Sequence, residues 1–120
     1  MRIIAGIGKG RKLHSPPSIT RPTSDRAREG LFSSLISTFG SLDDLNFLDL
    51  FAGSGAVGVE ALSRGAGLVD AVESNPNTAK VCEKNFAMIA GIDGVGSFKV
   101  HEETVFEFLN HSAKSPYEII

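Results

Sequence analysis

The chain has 120 residues, a formal net charge of −2, 42% apolar residues, one cysteine and no tryptophan. That length holds one domain rather than two, and near-average apolar and charged fractions argue against a wholly disordered chain. No run approaches the roughly 20 apolar residues that cross a bilayer, the basic, glycine-rich start has no signal-peptide core, and Cys82 alone forms neither an internal disulfide nor a cysteine zinc cage. A cytoplasmic protein with no membrane and no metal partner is expected.

Arg2-Ile3-Ile4-Ala5-Gly6 and Arg11-Lys12-Leu13 flank a Gly-x-Gly-Lys-Gly turn. They predict a short β-hairpin with bases at its tip and rim. Ser15-Pro16-Pro17-Ser18 reads as a linker, because two prolines cannot continue a ladder. Residues 1–20 are therefore expected to form a basic hairpin and linker ahead of a main unit over 21–120. A helix is predicted from Thr23 or Ser24, with Asp25 in a first turn that favours a carboxylate. Its residues Ala27, Leu31, Leu35 and Phe39, with Phe32 and Ile36, predict one buried stripe.

The body then alternates. Strands are predicted at Phe47–Phe51, Leu68–Glu73 and Ser97–His101, and a fourth begins at Tyr117. Helices are predicted at Ala56–Arg64, from Asn75-Pro76 to about Ala90, and over Thr104–Asn110. This β-α-β-α-β-α-β order implies a parallel sheet. The last residues, Tyr117-Glu118-Ile119-Ile120, fall inside the fourth strand, which reads as a truncated chain or fragment: a strand without its following helix leaves an apolar face and an edge uncovered.

Charge is unevenly placed. Residues 1–28 carry seven bases and one acid, and residues 29–120 carry five bases and thirteen acids. A basic arm on an acidic body suits a polyanion at the arm and a cation at the body; the bland alternative is a solvated basic terminus.

The strongest motif is Asp49-Leu50-Phe51-Ala52-Gly53-Ser54-Gly55-Ala56-Val57-Gly58. Gly53, Gly55 and Gly58 make G-x-G-x-x-G between a predicted strand and a predicted helix. A dinucleotide would rest its pyrophosphate on the helix start, with an acid about 20 residues on at the ribose. S-adenosylmethionine (SAM) carries an ammonium and a sulfonium and no phosphate, so it calls for a carboxylate beside the loop. Asp49 at the end of the first strand supplies one, and Glu73 suits the ribose of either ligand; SAM is the favoured reading. The plain alternatives are an Asp49 that bonds loop amides and a Glu73 that caps a helix. Cys82 falls on the apolar face of Ala79, Phe86 and Ile89–Ala90 and reads as core. His14, His101 and His111 are scattered and lack metal-ligand spacing.

In these stretches the chain resembles the bacterial 16S rRNA (guanine-N2)-methyltransferases of the RsmD type. The likeness is carried by Met1-Arg-Ile-Ile-Ala-Gly6, Lys9-Gly-Arg-Lys-Leu13, Arg21-Pro-Thr-Ser-Asp-Arg-Ala-Arg-Glu29, Phe47 to Ala56, Gly58-Val-Glu-Ala-Leu-Ser-Arg-Gly-Ala66 and Val72-Glu73. The glycine motif is shared by many SAM enzymes, whereas the hairpin joined to Arg-Pro-Thr-Ser-Asp-Arg is far more specific. The resemblance implies a Rossmann-like SAM-dependent methyltransferase fold, incomplete after its fourth strand. It implies that Asp49, Phe51, Ala52, Gly53, Ser54 and Gly55 hold the methionine part of SAM, that Glu73 holds the ribose, and that Thr23 lies near the cofactor. Arg2, Lys9, Arg11, Lys12, Arg21 and Arg28 would contact phosphates of 16S rRNA, free or in an assembling small subunit. The region expected near the adenine reads Glu102-Glu103-Thr104.

The family follows its fourth strand with Asp/Asn-Pro-Pro-Tyr/Phe, which accepts hydrogen bonds from the target amine and stacks on the base. These 120 residues contain no such tetrapeptide, so they are expected to be inactive on their own. Other readings are a methyltransferase of DNA or another RNA, a non-catalytic nucleic-acid-binding module, and a dinucleotide-dependent oxidoreductase.

Overall fold

Capping side chains and glycines set the element boundaries, and the element order is that of an α/β chain. The structure, a computed structural model, describes residues 1–16, 24–111 and 116–120. Ser24 caps α1 (Asp25–Phe39) by accepting from Ala27 N–H at 3.0 Å. β1 (Asn46–Asp49) leads through the glycine loop into α2 (Ala56–Ser63). β2 (Leu68–Val72) precedes α3 (Pro76–Ala90), which Asn75 caps with proline in the first turn. β3 (Ser97–His101) precedes α4 (Val105–Asn110), where Thr104 and Glu107 form a reciprocal capping box.

The three strands are parallel in the order β1-β2-β3, with Phe47 opposite Val69 and Val69 opposite Phe98. On the far edge of β1, Ile119 makes a parallel bridge to Phe47. The expected fourth strand is thus one bridge, bonded by Leu48 N–H to Ile119 O at 2.9 Å, on the side of β1 away from β2. The expected hairpin is likewise reduced to one antiparallel bridge, Arg2 to Lys12, reinforced by Ile3 N–H to Arg11 O and Leu13 N–H to Met1 O. Its tip turns back onto α2 instead of extending a ladder.

Alternation along the strands divides the core. Phe47, Val69 and Ala71 face α2 and α3, where they meet Val59, Leu62, Phe86 and Ile89. Phe86 stacks on Phe98 at 4.9 Å between ring centroids, and Phe32 of α1 stacks on Phe47 at 6.2 Å. Leu48 and Val72 face the other way, against Phe108 of α4. Parallel strands need cover on both faces, and the helices supply it. Cys82 is fully buried in the larger cluster, as expected, while Ala90 at the end of that helix is exposed.

Two further expectations need correction. The stripe on α1 is not buried along its length: Phe32 is, but Ala27, Leu31, Ile36 and Phe39 are exposed and Leu35 is half-buried. Periodicity marks the apolar face of a helix, but the described chain covers only part of this one. The histidines are not all scattered either. His101 Nε2 lies 2.9 Å from Asp70 Oδ1, Tyr117 O–H donates to Asp70 Oδ2 at 2.6 Å, and His111 Nε2 lies 2.7 Å from Glu103 Oε1. These groups clasp α4 and the residues around Tyr117 to the second face of the sheet. Burial, with the bond to Asp70, pushes the Tyr117 phenol up to about 12.

Candidate cofactor cleft and basic arm

In an open parallel sheet the crevice at the carboxyl ends of the strands is where ligands bind, at the point where strand order reverses. Ile119 on one side of β1 and β2 on the other put that point at the end of β1. A cleft of about 700 Å³ opens there, lined by Asp49, Phe51, Gly53, Glu73, Asn75 and, from α1, Leu31.

The glycines shape the loop for separate reasons. Gly55 adopts φ +81 just before α2, and a Cβ there would come within 2.8 Å of Cys82 Sγ. Gly58 lies inside α2, where a Cβ would meet Phe86 Cζ at 2.7 Å, so its absence lets helix and sheet close together. Ala52 and Ser54 are buried under the loop, and Phe51 stands exposed at its lip.

Both carboxylates take part in the loop's own hydrogen bonds. Phe51 N–H donates to Asp49 Oδ1 at 3.1 Å. Glu73 accepts from Gly53 N–H and from Asn75 N–H, each at 2.9 Å, which pins the loop to the start of α3. The plain reading of Asp49 is therefore true of the structure, whereas the cap of α3 is Asn75 and Glu73 instead accepts from the cap residue and the loop. The N–H of Ala52 goes to Val72 O, that of Gly55 to Ala52 O, and that of Ala56 to Ser54 Oγ. Five amides from Phe51 to Ala56 thus have acceptors inside the protein and are not turned toward a phosphate. The face of the loop is acidic instead. Burial raises the Asp49 carboxyl above its ordinary range, and the neighbouring Glu73 charge raises it further, against the Phe51 bond that lowers it. Burial and the nearby Asp49 and Glu73 push the Cys82 thiol up to about 12, so it stays protonated under the loop.

Of the bases expected to meet RNA, Arg2, Lys9, Arg11 and Lys12 are exposed on the arm. Arg2 Nη1 donates to Gly10 O at 3.0 Å and Arg11 Nη1 to Met88 O at 3.3 Å. Arg28 does not join them. It is fully buried, donating through Nη2 to Arg2 O at 2.6 Å and to Asp25 Oδ1 at 2.7 Å. Its guanidinium ties the arm to α1, and the expectation that it meets phosphate is withdrawn. Burial works against the Asp25 charge, but Arg28 and the Arg2 N–H hold that carboxyl below its usual range. Thr23 and Arg21 lie outside the described residues.

The sequence reading passed over the residues that seat the arm. Glu60, fully buried in α2, accepts from Ile4 N–H at 2.9 Å and Ala5 N–H at 3.1 Å and pairs with Arg64 Nε at 2.9 Å. Ser63 Oγ accepts from Gly8 N–H and donates to Ala5 O. Gly6, at φ +84, passes so close to Ser63 that a Cβ would collide with its carbonyl. The available signal was one carboxylate inside the otherwise apolar run Ala56–Leu62: such a charge is buried only when paired.

A glycine loop leaving the first strand of a parallel sheet, with acids at the ends of that strand and the next, defines a Rossmann-like methyltransferase fold. The solved structure named "Putative methyltransferase yhhF from Escherichia coli" superposes with a TM-score of 0.73 at 37% identity, covering 91% of this chain and 55% of that one. A hypothetical protein of Thermus thermophilus gives 0.76 at 35% identity, covering 92% and 59%. The family described as conserved hypothetical protein 95 matches residues 1–120, and the chain belongs to it. The chain is 38% identical over 121 aligned residues to ribosomal RNA small subunit methyltransferase D of Escherichia coli strain K12. It spans 57% of that relative's length.

Proposed function

We propose that the chain is the cofactor-loop and RNA-arm portion of a SAM-dependent methyltransferase acting on the exocyclic N2 of a guanine in 16S rRNA. The supporting observation is the loop itself: five of its amides are satisfied internally, and two carboxylates border it, one of them raised by burial and by its neighbour. That chemistry fits a cation with a diol and opposes a pyrophosphate, so the dinucleotide reading is set aside.

When bound, SAM supplies a methyl made electrophilic by its sulfonium. The chain's own residues would do the holding. Each Glu73 oxygen has a lone pair beyond those used by Gly53 and Asn75, enough to accept from ribose hydroxyls. Asp49 offers its charge to the ammonium, and Gly53 and Gly55 let the backbone approach closely. The exposed bases Arg2, Lys9, Arg11 and Lys12 would neutralise phosphates, and Arg21 and Thr23 remain part of the proposal. A guanine amine is a weak nucleophile because its lone pair is delocalised, so the site must align it and accept its protons. The Asp/Asn-Pro-Pro-aromatic group that the resemblance assigns to this task is not among the 120 residues.

Calorimetric titration with SAM and with NAD⁺ tests the cofactor reading. SAM is expected to bind and NAD⁺ to leave the heat unchanged; binding of NAD⁺ alone would overturn it. Transfer of radiolabelled methyl to 16S rRNA by these 120 residues is expected to be undetectable, and measurable transfer would refute their inactivity.

A further inference from the structure

Asn85, in the middle of α3, is fully buried and belongs to neither the acidic loop nor the basic arm, yet it bonds to both. Its Nδ2 donates to Ser54 O at 2.8 Å, in the glycine loop, and to His14 O at 3.0 Å, at the end of the arm. Its Oδ1 accepts from His14 N–H at 2.8 Å. Two carbonyls on one side of the amide and one N–H on the other fix which atom is nitrogen. The His14 peptide therefore sits on the Asn85 amide as on a strand partner, and the remaining Asn85 proton reaches the loop. Nothing apolar could replace it without leaving two carbonyls and one N–H short of a partner.

The placement matters because the two sites are far apart in sequence and joined here by one rigid group. His14 lies two residues before Pro16, which lines the cleft, and follows the bases of the arm. Ser54 stands between the two glycines that shape the loop. Were the loop to shift on filling of the cleft, the Ser54 carbonyl would move with it, and the Asn85 amide could not follow without moving the His14 peptide. Resting on the reading that the loop holds SAM and the arm holds RNA, we propose that Asn85 is a positioning residue that couples the two sites, so that each ligand strengthens binding of the other.

Wild-type protein labelled with nitrogen-15 tests this without a substitution. Saturating SAM is expected to slow amide exchange at His14 about fivefold, the lower range of ordinary coupling between sites. A fluorescein-labelled fragment of 16S rRNA is expected to tighten SAM binding by the same factor, and SAM to tighten RNA binding equally, since coupling is reciprocal. In Asn85→Ala each binary affinity is expected to fall, since the loop and the arm both lose a partner, while the ratio of ternary to binary affinity drops to within about twofold of one. Should Asn85→Ala fail to fold, the wild-type exchange and reciprocal affinities decide the coupling, and the isosteric Asn85→Asp, which keeps the acceptor for His14 N–H and lacks the amide donors to Ser54 O and His14 O, decides the role of Asn85. SAM that binds and leaves His14 exchange and RNA affinity unchanged overturns the coupling alone. SAM that does not bind wild type overturns the cofactor reading and the coupling with it. Coupling that survives in Asn85→Ala overturns the role of Asn85.

Discussion

Asp49 is raised above its ordinary 3.8 by burial and by the charge of Glu73, and that gives the unliganded protein a weakness it would lose on binding a cation. A carboxyl whose folded pKa exceeds its unfolded one keeps its proton longer in the folded chain. Folded stability then falls as the pH rises through that window, and the whole penalty stands above it. Asp49→Asn removes the charge and keeps an oxygen for the Phe51 N–H. The variant is expected to melt higher than wild type at pH 7, with the gap narrowing as the pH falls toward 3.8. Its affinity for SAM should drop at least tenfold, since a hydrogen bond to a charged group contributes about 1.5–3 kcal/mol. Melting curves across pH, with calorimetric titration, check both halves. A variant that melts lower at pH 7, or binds SAM as well as wild type, would refute the account of Asp49.

At the scale of elements, glycines in two helices make opposite predictions. A Cβ on Gly58 meets Phe86 Cζ at 2.7 Å and Val69 Cγ1 at 2.9 Å, both in packed core. Gly58→Ala should destabilise by about 1–3 kcal/mol through overpacking. Gly30, within α1, has open space around its Cβ position. Gly30→Ala should leave stability unchanged or raise it by about 0.5–1 kcal/mol, the entropic penalty of glycine in a helix. Denaturant titration separates the two, and equal effects would contradict the packing described for α2.

Elements were legible where local chemistry decides them. Asn75-Pro76 marks the start of α3, Thr104 with Glu107 marks that of α4, and Ser97–His101 is the third strand residue for residue. What failed was information that no single segment holds. Leu31 is apolar and on the right face of α1, but its cover must come from another part of the fold, and it stays 42% exposed. Arg28 reads as a surface base until the Arg2 carbonyl and Asp25 are brought beside it. Glu60 and Asn85 look like ordinary polar residues in helices until the arm folds back across them. The glycine loop lies between, since its position, its acidic neighbours and the bonding of Asp49 to a loop amide were readable, while the bond from Gly53 N–H to Glu73 was not.

For the molecule as a whole, the charge asymmetry of the sequence becomes a division of surfaces. The arm carries Arg2, Lys9, Arg11 and Lys12 outward, and the acidic cleft opens at the carboxyl ends of the strands. If the arm holds RNA through phosphates, affinity must depend on salt, because each neutralised phosphate releases counterions. Arg11→Glu with Lys12→Glu should weaken binding of a 16S rRNA fragment and lower the slope of log affinity against log salt by about 0.7–0.9 for each phosphate no longer neutralised. Arg28→Ala should behave oppositely: it removes a buried guanidinium that joins the arm to α1, so it lowers stability while the salt slope of the folded fraction holds. SAM affinity of the arm variant should stay within about twofold of wild type, because these side chains lie outside the cleft and direct contact requires proximity. A fluorescence-anisotropy series at several salt concentrations reads the slopes. An unchanged slope in the Arg11 and Lys12 variant would remove the arm from the RNA interface, and a reduced slope in Arg28→Ala would return Arg28 to it.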